Sequence, residues 1–255
     1  MVEWEGEAIV SPPEFERLDR ADLSPWFNPF LAAFAREAYR CGGDARVQTE
    51  GPSIRGLLVT DPVEGVASVF TRSREAAERW VRQRGSYGVF SGFFLEPTDE
   101  LFDIFLFVFG REAPPRRFRN VVRSVTPDDL PRVLELMREV YGPVNERWLS
   151  GMPSASEVGF LCEVEGRPVG VAWVSLAGRR ARLHSLTVRA PFRHMGIGSD
   201  LLSARLLWAQ GRGATEAISE ISRLNRPSQA LAARSGMRSV GEIFFHRRVE
   251  SIVPR

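Results

Sequence analysis

The stretch that decides the reading runs from Arg193 to Leu202, "RHMGIGSDLL", directly after "LHSLTVRAPF" (residues 183–192). Before it the chain is β-branched and apolar, and after it the apolar positions fall at helical spacing. Gly196 and Gly198 sit one residue apart at the junction. A strand that ends where a helix begins points several unpaired N–H groups at one spot, backed by the positive end of the helix dipole. Glycine there leaves no Cβ to hold off a bulky anion, so the junction reads as a diphosphate site.

Outward from this point the pattern is regular. In the half of the chain that holds the junction, "VVRSV" is predicted as a short strand and "TPDDLPRVLELMREVYG" as a helix, with Thr126 capping it and Pro127 at its first position. Asp129 is placed for a capping box. "GFLCEVE" and "PVGVAWVSL" form a hairpin about Gly166, and "ARLHSLTV" leads into the glycine junction. A helix from about Ser199 to Gln210, the strand "TEAISEIS", a helix from about Pro227 to Arg234 and a last strand "EIFFHRR" follow. The expected order is β-α-β-β-β-α-β-α-β, an α/β (α+β) mixed sheet with helices on its faces.

The segment "GREAPPRRFRN" (110–120) has no periodicity and reads as a connection, dividing the chain into domains 1–118 and 119–255. The first domain carries a helical pattern between Glu14 and Arg40, then "SIRGLLVT" and "GVASVFT" as hairpin strands. A helix capped by Ser73 comes next, followed by the strands "YGVFSGFF" and "LFDIFLFVF".

Composition narrows the chemistry. The 255 residues are 44% hydrophobic and 26% charged, a globular balance. All 34 Lys+Arg residues are arginine. A Walker phosphate loop and a Schiff-base enzyme each need a lysine, and both are excluded. A net charge of +2 gives no argument for a nucleic-acid partner. Cys41, Cys162 and the three histidines (His184, His194, His246) have no metal spacing, so no metal is expected. No apolar run reaches the ~20 residues of a membrane helix. A reduced, cytoplasmic location without membrane contact is the expectation. The dinucleotide fingerprint G-x-G-x-x-G fits poorly, because Leu201 holds its third position and a hairpin precedes the loop.

The element order, with "V-x-A-P-x-R-H-M-G-I-G-S" after a strand, resembles the GNAT superfamily of acyl-CoA N-acyltransferases over about residues 119–250. Arg193, Gly196 and Gly198 match its R/Q-x-x-G-x-G/A signature. "CEVEGRPVGVAWV" is similar to its second and third strands, and "NRPSQALAARSGM" to its asparagine-led helix, with Met237 in place of phenylalanine. The first domain is loosely like a degenerate copy of the same fold, by element order alone.

The resemblance implies acetyl-CoA as co-substrate and no metal. It implies that the backbone of Arg193, His194, Met195, Gly196, Ile197 and Gly198, with Ser199, cradles the diphosphate. It also implies that Leu186, Thr187 and Val188 pair with the pantetheine arm, the N–H of Val188 steadying the oxyanion. Asn225 and Ser228 would contact the same arm. His184 stands four residues before Val188, where many relatives carry a glutamate base. An imidazole suits that task. Alternation puts His184 on one face with Leu186 and Val188, so a packed core histidine is the open alternative. Asp200, beside a diphosphate, should point away.

The family's tyrosine acid is replaced by Ala232. The implied activity is acetyl transfer to the amine of a small molecule or amino acid. A catalytically silent acyl-CoA sensor and a protein N-acetyltransferase are the alternatives. The first domain is expected to wall the acceptor site or to form a homodimer interface.

Overall fold

The computed structural model describes residues 7–9, 45–50, 53–61, 66–82, 88–92, 95, 97, 99–110, 118–141 and 157–246. The helix expected between Glu14 and Arg40 and the thiol of Cys41 lie outside them. Strands are β1 (Glu7–Ile9), β2 (Ala45–Glu50), β3 (Ser53–Asp61), β4 (Val66–Thr71), β5 (Gly88–Ser91) and β6 (Glu100–Val108). They continue as β7 (Val122–Ser124), β8 (Glu157–Val164), β9 (Arg167–Ala177), β10 (Arg180–Val188), β11 (Glu216–Ser222) and β12 (Arg238–His246). The helices are α1 (Arg74–Arg82), α2 (Leu130–Tyr141), α3 (Ile197–Gly211) and α4 (Arg226–Arg234).

Two compact units interleave in sequence. One comprises Met1–Asp103 with Gly241–Arg255, the other Ile104–Val240. The sequence reading divides the chain at residue 118 and keeps the last strand in the second half. Here Ile104–Val108 belongs to the second unit and Gly241–His246 to the first. The physical reason lies in "IFLFV": Phe105 and Phe107 are buried in the core of the second unit with Leu183, Leu201 and Leu206. A strand apolar on successive residues suits an interior position.

In the second unit the strands run β6-β11-β10-β9-β8-β7. The β7–β8, β8–β9 and β9–β10 pairs are antiparallel, while β10 and β11 are parallel and joined through α3. Two apolar layers cover the faces. Phe160, Ala172, Val174, Leu183, Ile197 and Leu201 pack on the α3 side. Leu161, Val171 and Trp173 pack with Val133, Leu136 and Met137 of α2 on the other. The start of α2 is locked by charge. The Thr126 N–H donates to the Asp129 carboxylate at 2.9 Å, and Arg123 and Arg132 each donate to Asp129 at 2.6 Å. The hydrogen bonds from Arg123 first, and then from Thr126, hold the Asp129 carboxyl well below the usual carboxylate range against the opposing effect of burial.

In the first unit the order is β1-β2-β3-β4-β5-β12, with β4 and β5 parallel across α1. Ala77, Trp80 and Val81 of α1 pack on Ala67, Val69 and Val89. Strand β12 is held to β5 by the register Phe244↔Ser91 to His246↔Val89. His246 is fully buried there, with Nε2 2.6 Å from Ser91 Oγ and Nδ1 2.6 Å from the Asp99 carboxylate.

Candidate active site

Strand β10 and the start of α3 build the site. Registers between β10 and β11 run only from Arg180↔Glu216 to Arg182↔Ile218, although β10 continues to Val188 and β11 to Ser222. Beyond Leu183, whose carbonyl still accepts from Ser219 Oγ at 2.9 Å, the paired ladder does not continue, and β10 faces the gap so left. At its far end the Arg189 N–H donates to Val169 O of β9 at 2.9 Å. Successive N–H groups of a strand point to opposite edges, so the N–H of Val188 points into the gap. Arg193 folds back over this edge, its Nε donating to Val188 O at 3.2 Å.

The glycine loop completes the gap's mouth. Ala190–Phe192 form one 3₁₀ turn; His194 then takes φ +66° and Gly196 φ +86°. This left-handed geometry is routine for glycine and uncommon for histidine. The helical ladder of α3 opens with the Asp200 N–H to Gly196 O at 3.0 Å. The amides of Ile197, Gly198 and Ser199 therefore precede the ladder, and no side chain caps them. They stand together at the positive end of a 15-residue helix, a setting that favours an anion. Arg193, His194, Met195 and Ser199 are exposed or half-buried around it.

Two devices place this loop. Gly170 on β9 lets α3 come down on the sheet: a Cβ there would stand 2.7 Å from Ile197 Cγ2. Asp200, 2% exposed, turns away from the cradle and accepts from Arg119 N, Asn120 N and Asn120 Nδ2 at 3.2, 2.9 and 2.8 Å. Asn120 Nδ2 also donates to Met195 O at 3.2 Å. Gly170 and the Asn120–Asp200 clamp are not apparent from the sequence, since both depend on long-range approach.

His184 lies differently from its strand alternation. The β9–β10 register shifts between His184 and Thr187, and Ser185 takes φ +51° in this bulge. His184 is paired with Trp173, whose side chain belongs to the α2-side core. Leu186 and Val188 instead pack on the α3-side core. One extra residue in a strand flips the faces beyond it, so His184 does not share a face with Leu186 and Val188. Glu157 Oε1 approaches His184 Nε2 to 2.9 Å, an ion-pair distance without hydrogen-bond alignment. Nδ1 lies 3.2 Å from Ser185 Oγ. The bulge is braced by Arg205 of α3, 3% exposed, whose guanidinium donates to the carbonyls of Trp173 and His184 at 3.3 Å.

The remaining sequence-derived residues are also located. Thr187 is buried, and Asn225 is the N-cap of α4, its Oδ1 accepting from the Ser228 N–H at 3.2 Å. Ala232, 2% exposed, sits in the core of the second unit. Cys162 is buried, and burial pushes its thiol up, away from thiolate chemistry. Among the described residues no His, Cys, Asp or Glu group could hold a metal, and no helix is long and apolar enough to cross a membrane.

The chain is similar to known proteins in family profile and in fold. The acetyltransferase (GNAT) family profile matches residues 129–237. An uncharacterized N-acetyltransferase of Methanocaldococcus jannaschii is 34% identical over 110 residues, covering 36% of this chain and 49% of the relative. The chain thus spans about half the length of the curated relative it matches. Among solved structures, a GCN5-related N-acetyltransferase from Sphaerobacter thermophilus aligns over 95% of this chain and 94% of its own, with TM-score 0.64 and 16% identity. A tandem GNAT protein from the clavulanic acid biosynthesis pathway aligns over 96% and 99%, with TM-score 0.60 and 16% identity. At such identities the structural likeness speaks for the fold.

Proposed function

We propose that this chain, whose residues 129–237 match the acetyltransferase (GNAT) family profile and hold the glycine loop, the split strands and the crossover helix, transfers an acetyl group from acetyl-CoA to the amine of a small molecule or amino acid. The observation that carries this reading is the parting of β10 and β11 after Arg182↔Ile218, directly beside uncapped amides at the start of α3.

The cradle of Ile197, Gly198 and Ser199 suits a diphosphate, with exposed Arg193 adding charge. The open edge of β10 suits an extended arm with alternating amide donors and acceptors, as an added strand would pair. The N–H of Val188, turned into the gap, is the donor for the carbonyl oxygen as it becomes an oxyanion. His184, with Glu157 Oε1 2.9 Å from its Nε2, is the base on which the attacking amine's proton ends, directly or through a neighbouring hydroxyl. Holding amine and thioester side by side supplies much of the acceleration. Asn225 spends its oxygen on capping α4, so its contact to the arm is through the amide nitrogen.

The first unit reads as a degenerate copy of the same half-fold. It repeats the parallel pair across a helix, β4-α1-β5, but only Arg72 and Ser73 separate strand from helix. The Ala76 N–H donates to Ser73 Oγ at 3.1 Å, so a side chain occupies the place an anion would take.

Ala232 favours a second reading, a silent acyl-CoA binder, since its buried methyl offers no proton to a leaving thiolate. Titration with CoA followed by thiol release from acetyl-CoA over a panel of amines and amino acids separates the two. Micromolar CoA binding with amine-dependent thiol release supports transfer. Tight CoA binding with no release on any amine supports the binder. Release only with peptide α-amines would move the acceptor class to proteins.

A further inference from the structure

The bulge in β10 holds a group the family resemblance does not assign. In a regular strand consecutive side chains leave opposite faces, and His184 and Ser185 could not meet. The left-handed turn of Ser185, φ +51°, swings its hydroxyl to 3.2 Å from His184 Nδ1. Non-glycine residues rarely hold this conformation, and where they do the strain is commonly part of a site. The imidazole, 9% exposed at its side chain, then meets Ser185 at Nδ1, while its Nε2 stands 2.9 Å from Glu157 Oε1 at ion-pair distance without a hydrogen bond to it. Ser185 is half-buried and stands between His184 and Leu186, in the part of β10 beyond its register with β11.

We propose that Ser185 is the catalytic residue that exchanges protons with the reacting centre, acting through His184 and Glu157 as one relay that serves first as base and then as acid. The proposal rests on the acetyl-transfer reading of the same site. As the amine nitrogen bonds to the thioester carbon, Ser185 Oγ takes a proton from that nitrogen and passes its own to His184 Nδ1. The imidazolium so formed faces the Glu157 carboxylate. When the carbon–sulfur bond breaks, the sulfur keeps the electron pair and takes a proton from Ser185, which recovers one from His184. One proton travels from amine to thiol, and the protein ends as it began. A separate acid at the position of Ala232 is then unnecessary, which accounts for a buried methyl there.

The relay requires a neutral imidazole protonated on Nε2, the nitrogen beside Glu157, with a bare Nδ1 accepting from the hydroxyl. Nitrogen-15 spectra of the histidine-labelled full chain, recorded at alkaline pH with His184→Gln for assignment, read this directly. An Nδ1–H tautomer overturns the proposal whatever the activity.

Kinetics supply the second arm. Ser185→Gly removes the hydroxyl and also suits φ +51°, so the bulge is kept without strain. Its kcat should fall about 100-fold, the low end of general acid–base contributions, with CoA affinity within about twofold of the parent. A variant within about threefold of an active parent overturns the relay and leaves the transfer reading standing. A parent that binds CoA but transfers to no amine overturns the transfer reading, and the chemical role of Ser185 with it.

Discussion

Replacing Gly170 by alanine should damage CoA binding from a position that never touches CoA. A Cβ at residue 170 would lie 2.7 Å from Ile197 Cγ2 and 3.1 Å from Leu201 Cδ1, where ordinary contact begins at 3.4 Å. Ile197 has to retreat by about 0.7 Å, and it is the first residue of α3, 1% exposed, with little room to rotate. Overpacking of this kind costs about 1–3 kcal/mol. At about 2–4 °C per kcal/mol for a chain of this size, Tm should fall by about 4–8 °C for a loss of about 2 kcal/mol.

The same retreat moves the amides of Ile197, Gly198 and Ser199 as a group. Hydrogen bonds to a charged group are worth about 1.5–3 kcal/mol each, and losing about 1.4 kcal/mol in all weakens CoA about tenfold. Calorimetric titration with CoA and a thermal scan measure both quantities. In Gly170→Ala/Ile197→Ala the new methyl occupies the space of the lost Cγ2, and CoA affinity should recover relative to Gly170→Ala alone. A fall in Tm with CoA affinity unchanged would refute the reasoning, because the cradle would then not depend on how α3 seats on β9.

Other perturbations probe the supports of each unit. Asp129→Asn should cost about 2 kcal/mol, less than a fully buried pair, because Arg123 and Arg132 are each more than a third exposed. The Asp129 carboxyl is depressed in the folded chain, so its contribution is present above the unfolded value of about 3.9 and is lost as pH falls below it. Acid titration of stability should therefore be shallower in Asp129→Asn below about pH 4, and parallel curves would mean that the arginine network adds nothing to acid stability. His246→Ala leaves the buried Ser91 hydroxyl and Asp99 carboxylate without the imidazole between them. It should destabilise the first unit by about 3 kcal/mol or more. Amide exchange of Val89 to Ser91 should accelerate; a loss under about 0.5 kcal/mol, the level of an ordinary surface change, would show that β12 is held by backbone pairing alone.

What could be read from the residues is what local chemistry fixes. Gly196, Thr126 with Asp129, and Ser73 before α1 act within one turn of themselves, and each reads correctly as loop or cap, whereas Gly198, expected ahead of a helix from about Ser199, lies inside α3, which begins at Ile197. The β8–β9 hairpin and the β10-loop-α3 unit follow from period and turn residues, and they sufficed for the fold class. Contacts across strands were out of reach. Glu157 meets His184 only because β8, β9 and β10 lie in register, and no spacing encodes that. The bulge at Ser185 has no glycine to announce it, so alternation put His184 on the wrong face. The assignment of β12 to the first unit depends on Ser91, Asp99 and His246, which are far apart in the chain.

A structure determined with coenzyme A bound bears on every step of the acyl-donor reading at once. The diphosphate should rest on the amides of Ile197, Gly198 and Ser199, and the pantetheine arm should run along β10 from His184 to Val188, its thiol end beside the Val188 N–H. A nucleotide seated away from the start of α3, or none at millimolar CoA, would leave the glycine loop without its anion and the open edge of β10 without its guest.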